Sequence, residues 1–151
     1  MIIGGEEIRT NTLEEITAPH DHSELLGTYH MGDGSHITMA IEASKKAHEE
    51  WSNTAWEHRA AIFMKAASLL SGPFRERINA TTMLGQSKNI FQAEIDAACE
   101  SIDFLNYNVE YMAEIYSVQP ESSRYAWNRL EQRPLEGFVY AISPFNFTSI
   151  S

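Results

Sequence analysis

Between Asn89 and Tyr116 the residues Ile95, Ala98, Ile102, Leu105, Val109, Met112 and Tyr116 recur at steps of three or four. That period predicts one long amphipathic helix, and its apolar stripe must be covered by other elements. Candidates to cover it lie upstream. Ile37, Ala40, Ile41, Ser44, Ala47, His48 and Trp51 mark a helix beginning near Ser35, after the break Gly32-Asp33-Gly34. Thr54 with Glu57 has capping-box spacing, and Ala60, Phe63, Ala67 and Leu70 form the next inward stripe, ended by Gly72-Pro73. A shorter helix is expected from Pro73 to Leu84. The first thirty residues read as short strands and turns. Met1-Ile2-Ile3 and Ile8-Arg9-Thr10 flank Gly4-Gly5, a hairpin pair, and Leu25–His30 is a second β candidate.

After Ser117 the helical period stops. Gln119-Pro120-Glu121-Ser122-Ser123 is a loop, Tyr125–Arg133 alternates imperfectly, and Pro134-Leu135-Glu136-Gly137 is turn-like. Phe138-Val139-Tyr140-Ala141-Ile142 is then a continuous apolar run. Such a run after helices predicts an α/β chain and the first strand of a doubly wound sheet. The sequence stops at Ser151, within ten residues of that run. A lone first strand would leave its edge unpaired, so the chain is expected to be the front part of a longer protein.

Charge excludes several functions. Eleven Lys+Arg against 21 Asp+Glu give a net −10, and the only near-clusters of basic residues are Lys45-Lys46 and Arg75-Glu76-Arg77. A nucleic-acid partner is therefore not expected. No apolar run approaches the roughly 20 residues of a membrane helix, and Met1–Glu7 lacks the features of a signal peptide. A single cysteine fits a reducing compartment. Cys99 lies mid-helix among Asp96, Glu100 and Asp103, which disfavour a thiolate, so it is not read as a nucleophile. His20-Asp21-His22, His30 and His36 lack zinc-ligand spacing, and no metal is expected. Glu100 and Asp103, at i and i+3, read as a solvated face. Neither G-x-G-x-x-G nor G-x-x-x-x-G-K is present.

Ile142-Ser143-Pro144-Phe145-Asn146-Phe147 remains, at the carboxyl end of the apolar run, where open α/β sheets bind ligands. On spacing alone Asn146 reads first as a turn former. Its amide could also serve as a neutral donor to a developing oxyanion.

Leu135–Thr148, including Pro144-Phe145-Asn146-Phe147, resembles the stretch that leads into the cofactor domain of aldehyde dehydrogenases. Met83-Leu84-Gly85-Gln86-Ser87-Lys88, Gln92–Ala98, Ile102-Asp103-Phe104, Trp51, Arg59, Lys65-Ala66-Ala67 and Ile3–Glu7 are similar to the Δ1-pyrroline-5-carboxylate dehydrogenase subfamily. The resemblance covers essentially the whole chain. It implies the N-terminal part of that fold: residues 1–116 as strands and helices packing on a cofactor domain, 117–135 as an oligomerisation strand and loop, and 136–151 as the start of an NAD-binding, Rossmann-like domain. It implies Asn146 as the oxyanion donor and Ile142, Ser143, Pro144 and Phe145 as cofactor-binding residues. NAD would be the cofactor, glutamate γ-semialdehyde the substrate, and a homo-oligomer would form through residues around 125–133. The family's nucleophilic cysteine, general-base glutamate, adenosine-ribose lysine and glycine-containing cofactor loop have no counterpart up to Ser151, so the segment alone is expected to be inactive. A bacterial cytoplasm is the simpler setting, or the mitochondrial matrix in a eukaryote. The alternatives are a non-catalytic assembly protein that binds full-length subunits, and a dehydrogenase for another aldehyde.

Overall fold

The computed structural model describes residues 1–150. The chain opens with two antiparallel hairpins. β1 (Ile2–Ile3) pairs with β2 (Glu6–Glu7) through Gly4 and Gly5. Both glycines have positive φ, +60° and +86°, as a two-residue primed turn requires. The glycine turn is as expected, but the return strand is Glu6–Glu7 rather than Ile8–Thr10, because a two-residue loop sets Ile3 opposite Glu6. β3 (Leu13–Ala18) and β4 (Asp21–His30) form the second hairpin, with irregular register around Thr17. β4 contains the expected Leu25–His30 segment.

Four helical stretches follow. α1 (Gly34–Asn53) is N-capped by Asp33, which forms a capping box with His36. α2 (Trp56–Ser71) ends at Gly72 as expected. Its start differs from the expected box. Ala55 is the N-cap residue, and the Thr54 hydroxyl donates back to the Glu50 carbonyl of α1 at 3.0 Å, so it is not free to cap α2. α3 (Arg75–Gln86) closes on Ser87, whose φ of 54° is left-handed. The long helix is continuous in α4 (Ile90–Ala93), a π-helical stretch (Glu94–Cys99) and α5 (Glu100–Ser117). Asn89 caps it in a second box with Gln92.

The core is made of small side chains. Ala60 and Ala67 of α2, Ala93, Ala97 and Ala98 around the π-helical stretch, Thr82 of α3 and Ser101 of α5 are buried. Small side chains let helix backbones approach closely, which explains why α2, α3 and the long helix meet here. Trp56 stacks on Tyr116 at 5.2 Å, and Arg59 donates to the Tyr116 hydroxyl at 3.2 Å, fixing the far end of the α2–α5 pair. α1 buries no residue completely, and Ile37 of its expected inward stripe is exposed. Among the described residues, the small residues of α1 face mainly the β1–β2 turn.

Residues 118–150 contain neither helix nor strand. The strands expected at Tyr125–Arg133 and Phe138–Ile142 are therefore corrected. A strand is held by hydrogen bonds to a neighbour, and among the described residues the only two ladders are those of the N-terminal hairpins. Tyr125 and Trp127 are 89% and 80% exposed, and Val139, Tyr140 and Ile142 are exposed as well. Side chains hold the arm in place of a ladder. Gln119 Oε1 accepts from the Leu130 amide at 2.9 Å, and the Asn128 side chain donates to the Glu121 carbonyl at 2.7 Å.

Candidate functional site

Phe145 and Asn146 form a turn at the surface of the helical body. What fixes this turn is the chain immediately after it. The Thr148 hydroxyl lies 2.8 Å from Thr82 Oγ1, which itself donates to the Ile78 carbonyl. Ser149 Oγ donates to the Ala97 carbonyl at 3.0 Å and lies 2.5 Å from Ser101 Oγ. Thr82 and Ala97 are wholly buried, so these bonds are anchored in the core. A π-helical stretch departs from the regular i→i−4 ladder, a feature frequent at functional sites. Here its Ala97 carbonyl receives the incoming segment.

Lys88 completes the clamp. Its Nζ donates to Asp96 Oδ2 at 2.6 Å and to the Asn146 carbonyl at 2.8 Å, and it lies 4.6 Å from the centroid of the Phe147 ring. Next to it, Arg75 pairs with Glu94, and Asn79 Nδ2 donates to Glu94 Oε2 at 2.5 Å. The Arg75 guanidinium, then Asn79, hold the Glu94 carboxyl below its ordinary range. Cys99 belongs to this knot, accepting from Arg75 at 3.4 Å.

The expected site residues are thus brought to one surface loop. Asn146 is exposed, and its side-chain amide bonds to none of the described residues. Ile142 and Phe145 are 75% and 96% exposed, with Ser143 and Pro144 exposed between them. Among the described residues the Ser143 hydroxyl and the Asn146 side-chain amide have no hydrogen-bond partner, so the loop presents both at its surface. The histidines have other tasks. His30 accepts from the Thr10 amide, His36 completes the α1 cap, and His20 meets Ser87 at 2.8 Å. Among the described residues no group of three His, Cys, Asp or Glu side chains could hold a metal. No helix there is long and apolar enough to cross a membrane. Reading for reactive groups missed Thr82, Ser101 and Asp96, which act by holding the loop. The break Gln86-Ser87-Lys88-Asn89 between two helices was the available signal for Lys88.

Residues 7–151 match the aldehyde dehydrogenase family. The chain belongs to that family. A relative in Schizosaccharomyces pombe, a probable delta-1-pyrroline-5-carboxylate dehydrogenase, is 49% identical over 100% of this chain and 28% of its own length. The mitochondrial delta-1-pyrroline-5-carboxylate dehydrogenase of Homo sapiens is 45% identical over 99% of this chain and 26% of its own. The crystal structure of the Mycobacterium tuberculosis delta-pyrroline-5-carboxylate dehydrogenase bound with NAD superposes with a TM-score of 0.95. It is 47% identical, covering 99% of this chain and 28% of that one. The mixed helix-and-strand fold is that of the N-terminal part of the aldehyde dehydrogenase fold, and the chain spans only 26% to 28% of the length of these relatives.

Proposed function

We propose that this chain forms the part of an NAD-dependent dehydrogenase that supplies Asn146 as an oxyanion donor. The reaction is oxidation of L-glutamate γ-semialdehyde, formed from Δ1-pyrroline-5-carboxylate, to L-glutamate in proline degradation. The observation that carries this reading is the clamped turn at Asn146. Its backbone is tied to the helices while its side-chain amide has no partner among the described residues. A neutral amide carried on a held backbone is suited to stabilise an oxyanion with little reorganisation as charge develops. The substrate assignment is supported by identities of 49% and 45% to relatives bearing the pyrroline-carboxylate dehydrogenase name.

NAD, when bound, accepts the hydride. Ile142, Ser143, Pro144 and Phe145 would line it, Ser143 through its hydroxyl and the others through the open, exposed stretch they form. The cysteine nucleophile and glutamate base implied by the family resemblance lie outside residues 1–151, so the segment alone has no turnover. Residues 125–133 pair with a second subunit, a role supported by the exposure of Tyr125 and Trp127. In this organisation residues 1–116 pack on the cofactor domain, 117–135 serve assembly, and 136–151 begin the NAD-binding unit. Mitochondrial relatives support a matrix location in a eukaryote, and a bacterial chain would be cytoplasmic.

The test is a chain extended to the length of its relatives, assayed for NAD reduction with pyrroline-5-carboxylate. Asn146→Ala is expected to lower kcat by roughly 100- to 1000-fold. Equal turnover in both proteins removes Asn146 from the mechanism. Faster oxidation of an uncharged aldehyde than of the semialdehyde overturns the substrate.

A further inference from the structure

We propose that Lys88 is a positioning residue for the oxyanion donor, holding the Asn146 turn by its backbone carbonyl. The inference rests on the role given to Asn146 above. The sequence around Lys88 fixes it from both sides. Ser87, in the left-handed region, closes α3, and Asn89 caps α4, so the lysine backbone is held between two helix ends. Its side chain crosses to the C-terminal stretch and is itself largely covered, with a relative exposure of 17%.

At its tip the ammonium group has three partners from two parts of the chain. Asp96 Oδ2, on the π-helical stretch, lies at 2.6 Å. The Asn146 carbonyl lies at 2.8 Å, and the Phe147 ring centroid at 4.6 Å. An ammonium has three donors and no acceptor capacity, so it donates to a carboxylate and a carbonyl at once. Charge-assisted bonds of this kind are short and stronger than neutral ones. Asp96 aims the lysine, and the lysine draws the Asn146 carbonyl toward the helices. Among the described residues the Asn146 side chain has no hydrogen-bond partner, so the contact that positions this residue is the one to its backbone carbonyl. Thr82 and Ser149 fix the chain beyond Phe147, whereas Lys88 acts at the asparagine itself. A donor displaced by about 1 Å loses roughly 100-fold in rate, and this sets the scale of the lysine's effect.

The experiment uses the family-length enzyme, with NAD and pyrroline-5-carboxylate as substrates, and four variants: Lys88→Met, Lys88→Arg, Asn146→Ala and the Lys88→Met/Asn146→Ala pair. Lys88→Met is expected to lower kcat by about 10- to 100-fold, with KM for both substrates within about two-fold. Lys88→Arg, which keeps a cation at the site, recovers most of that loss. The double variant is no slower than Asn146→Ala, because a displaced donor and an absent donor are the same defect. Multiplication of the two single effects would overturn the proposal, as would a Lys88→Met enzyme that loses KM rather than kcat. An inactive Lys88→Met that is also unfolded by circular dichroism passes the test to Asp96→Asn, which keeps the shape and weakens the aim. That variant must show the same non-additivity with Asn146→Ala, and additivity overturns the proposal. If Asn146→Ala alone retains full rate, the donor reading has failed first, and the lysine result is then read separately from it.

Discussion

Replacing Thr82 with valine removes one hydroxyl and keeps the shape of a wholly buried side chain. In the native structure that hydroxyl donates to the Ile78 carbonyl and lies 2.8 Å from Thr148 Oγ1. The Ile78 carbonyl belongs to the α3 ladder, so losing its extra donor leaves it a partner. Thr148, half-buried, loses the contact that ties the Asn146 stretch to α3. A net hydrogen bond contributes about 1 kcal/mol, and the hydroxyl makes two, so Thr82→Val costs about 1–2 kcal/mol. Thr148→Val breaks only the inter-segment bond and costs about 1 kcal/mol. The informative quantity is the coupling. If the pair clamps the stretch, the double variant is less destabilised than the sum by about 1 kcal/mol. Urea unfolding of the four proteins, followed by circular dichroism at constant m, measures it. With m near 2 kcal/mol/M, each 1 kcal/mol moves the midpoint by roughly 0.5 M. Additivity within about 0.3 kcal/mol would refute the reasoning, since the hydroxyl would then serve α3 alone.

Three further outcomes follow from the same geometry. The Ser35 hydroxyl, then His36, hold Asp33 well below the ordinary carboxylate value of 3.8. Its lowered folded value means that capping stabilises α1 above pH 3.8 and is lost as pH falls through that lower value. The melting-temperature difference between wild type and Asp33→Asn should therefore be present at pH 7 and shrink only in strong acid. Glu94 is lowered from its ordinary 4.5 chiefly by Arg75 and then Asn79, so its contribution is also present at neutral pH and fades below 4.5. Arg75→Met should weaken the fold at pH 7 and flatten its acid unfolding, and an unchanged acid midpoint would count against the ion pair. Ala98→Leu adds volume at a position with no exposed surface. It should cost about 1–3 kcal/mol by overpacking, read as a lower thermal midpoint.

Which parts of the fold could be foreseen depended on where each element finds its hydrogen bonds. The stripe from Ile95 to Tyr116 satisfies its backbone within one helix, so its period alone placed a helix ending at Ser117 within a residue of expectation. The π-helical turn inside it was invisible, because Ala93, Ala97 and Ala98 fit a regular helix equally well in sequence. Only their close packing against neighbouring helices distinguishes them. Phe138–Ile142 presents the opposite case. Its composition suits a buried strand, yet a strand needs a neighbour to pair with, and among the described residues none lies beside it. The candidate site divides along the same line. Asn146 reads on spacing alone as a turn former, and its donor role is implied by the family resemblance rather than by any local pattern. Lys88, Thr82 and Ser149 act through bonds spanning 48 or more positions, as in the Ser101–Ser149 and Thr82–Thr148 pairs, and no local period reports such a bond. Reading the turn as a donor site therefore required the clamp. An exposed asparagine by itself stabilises a turn, whereas here a covered ammonium also holds its carbonyl and so fixes the backbone that carries the amide.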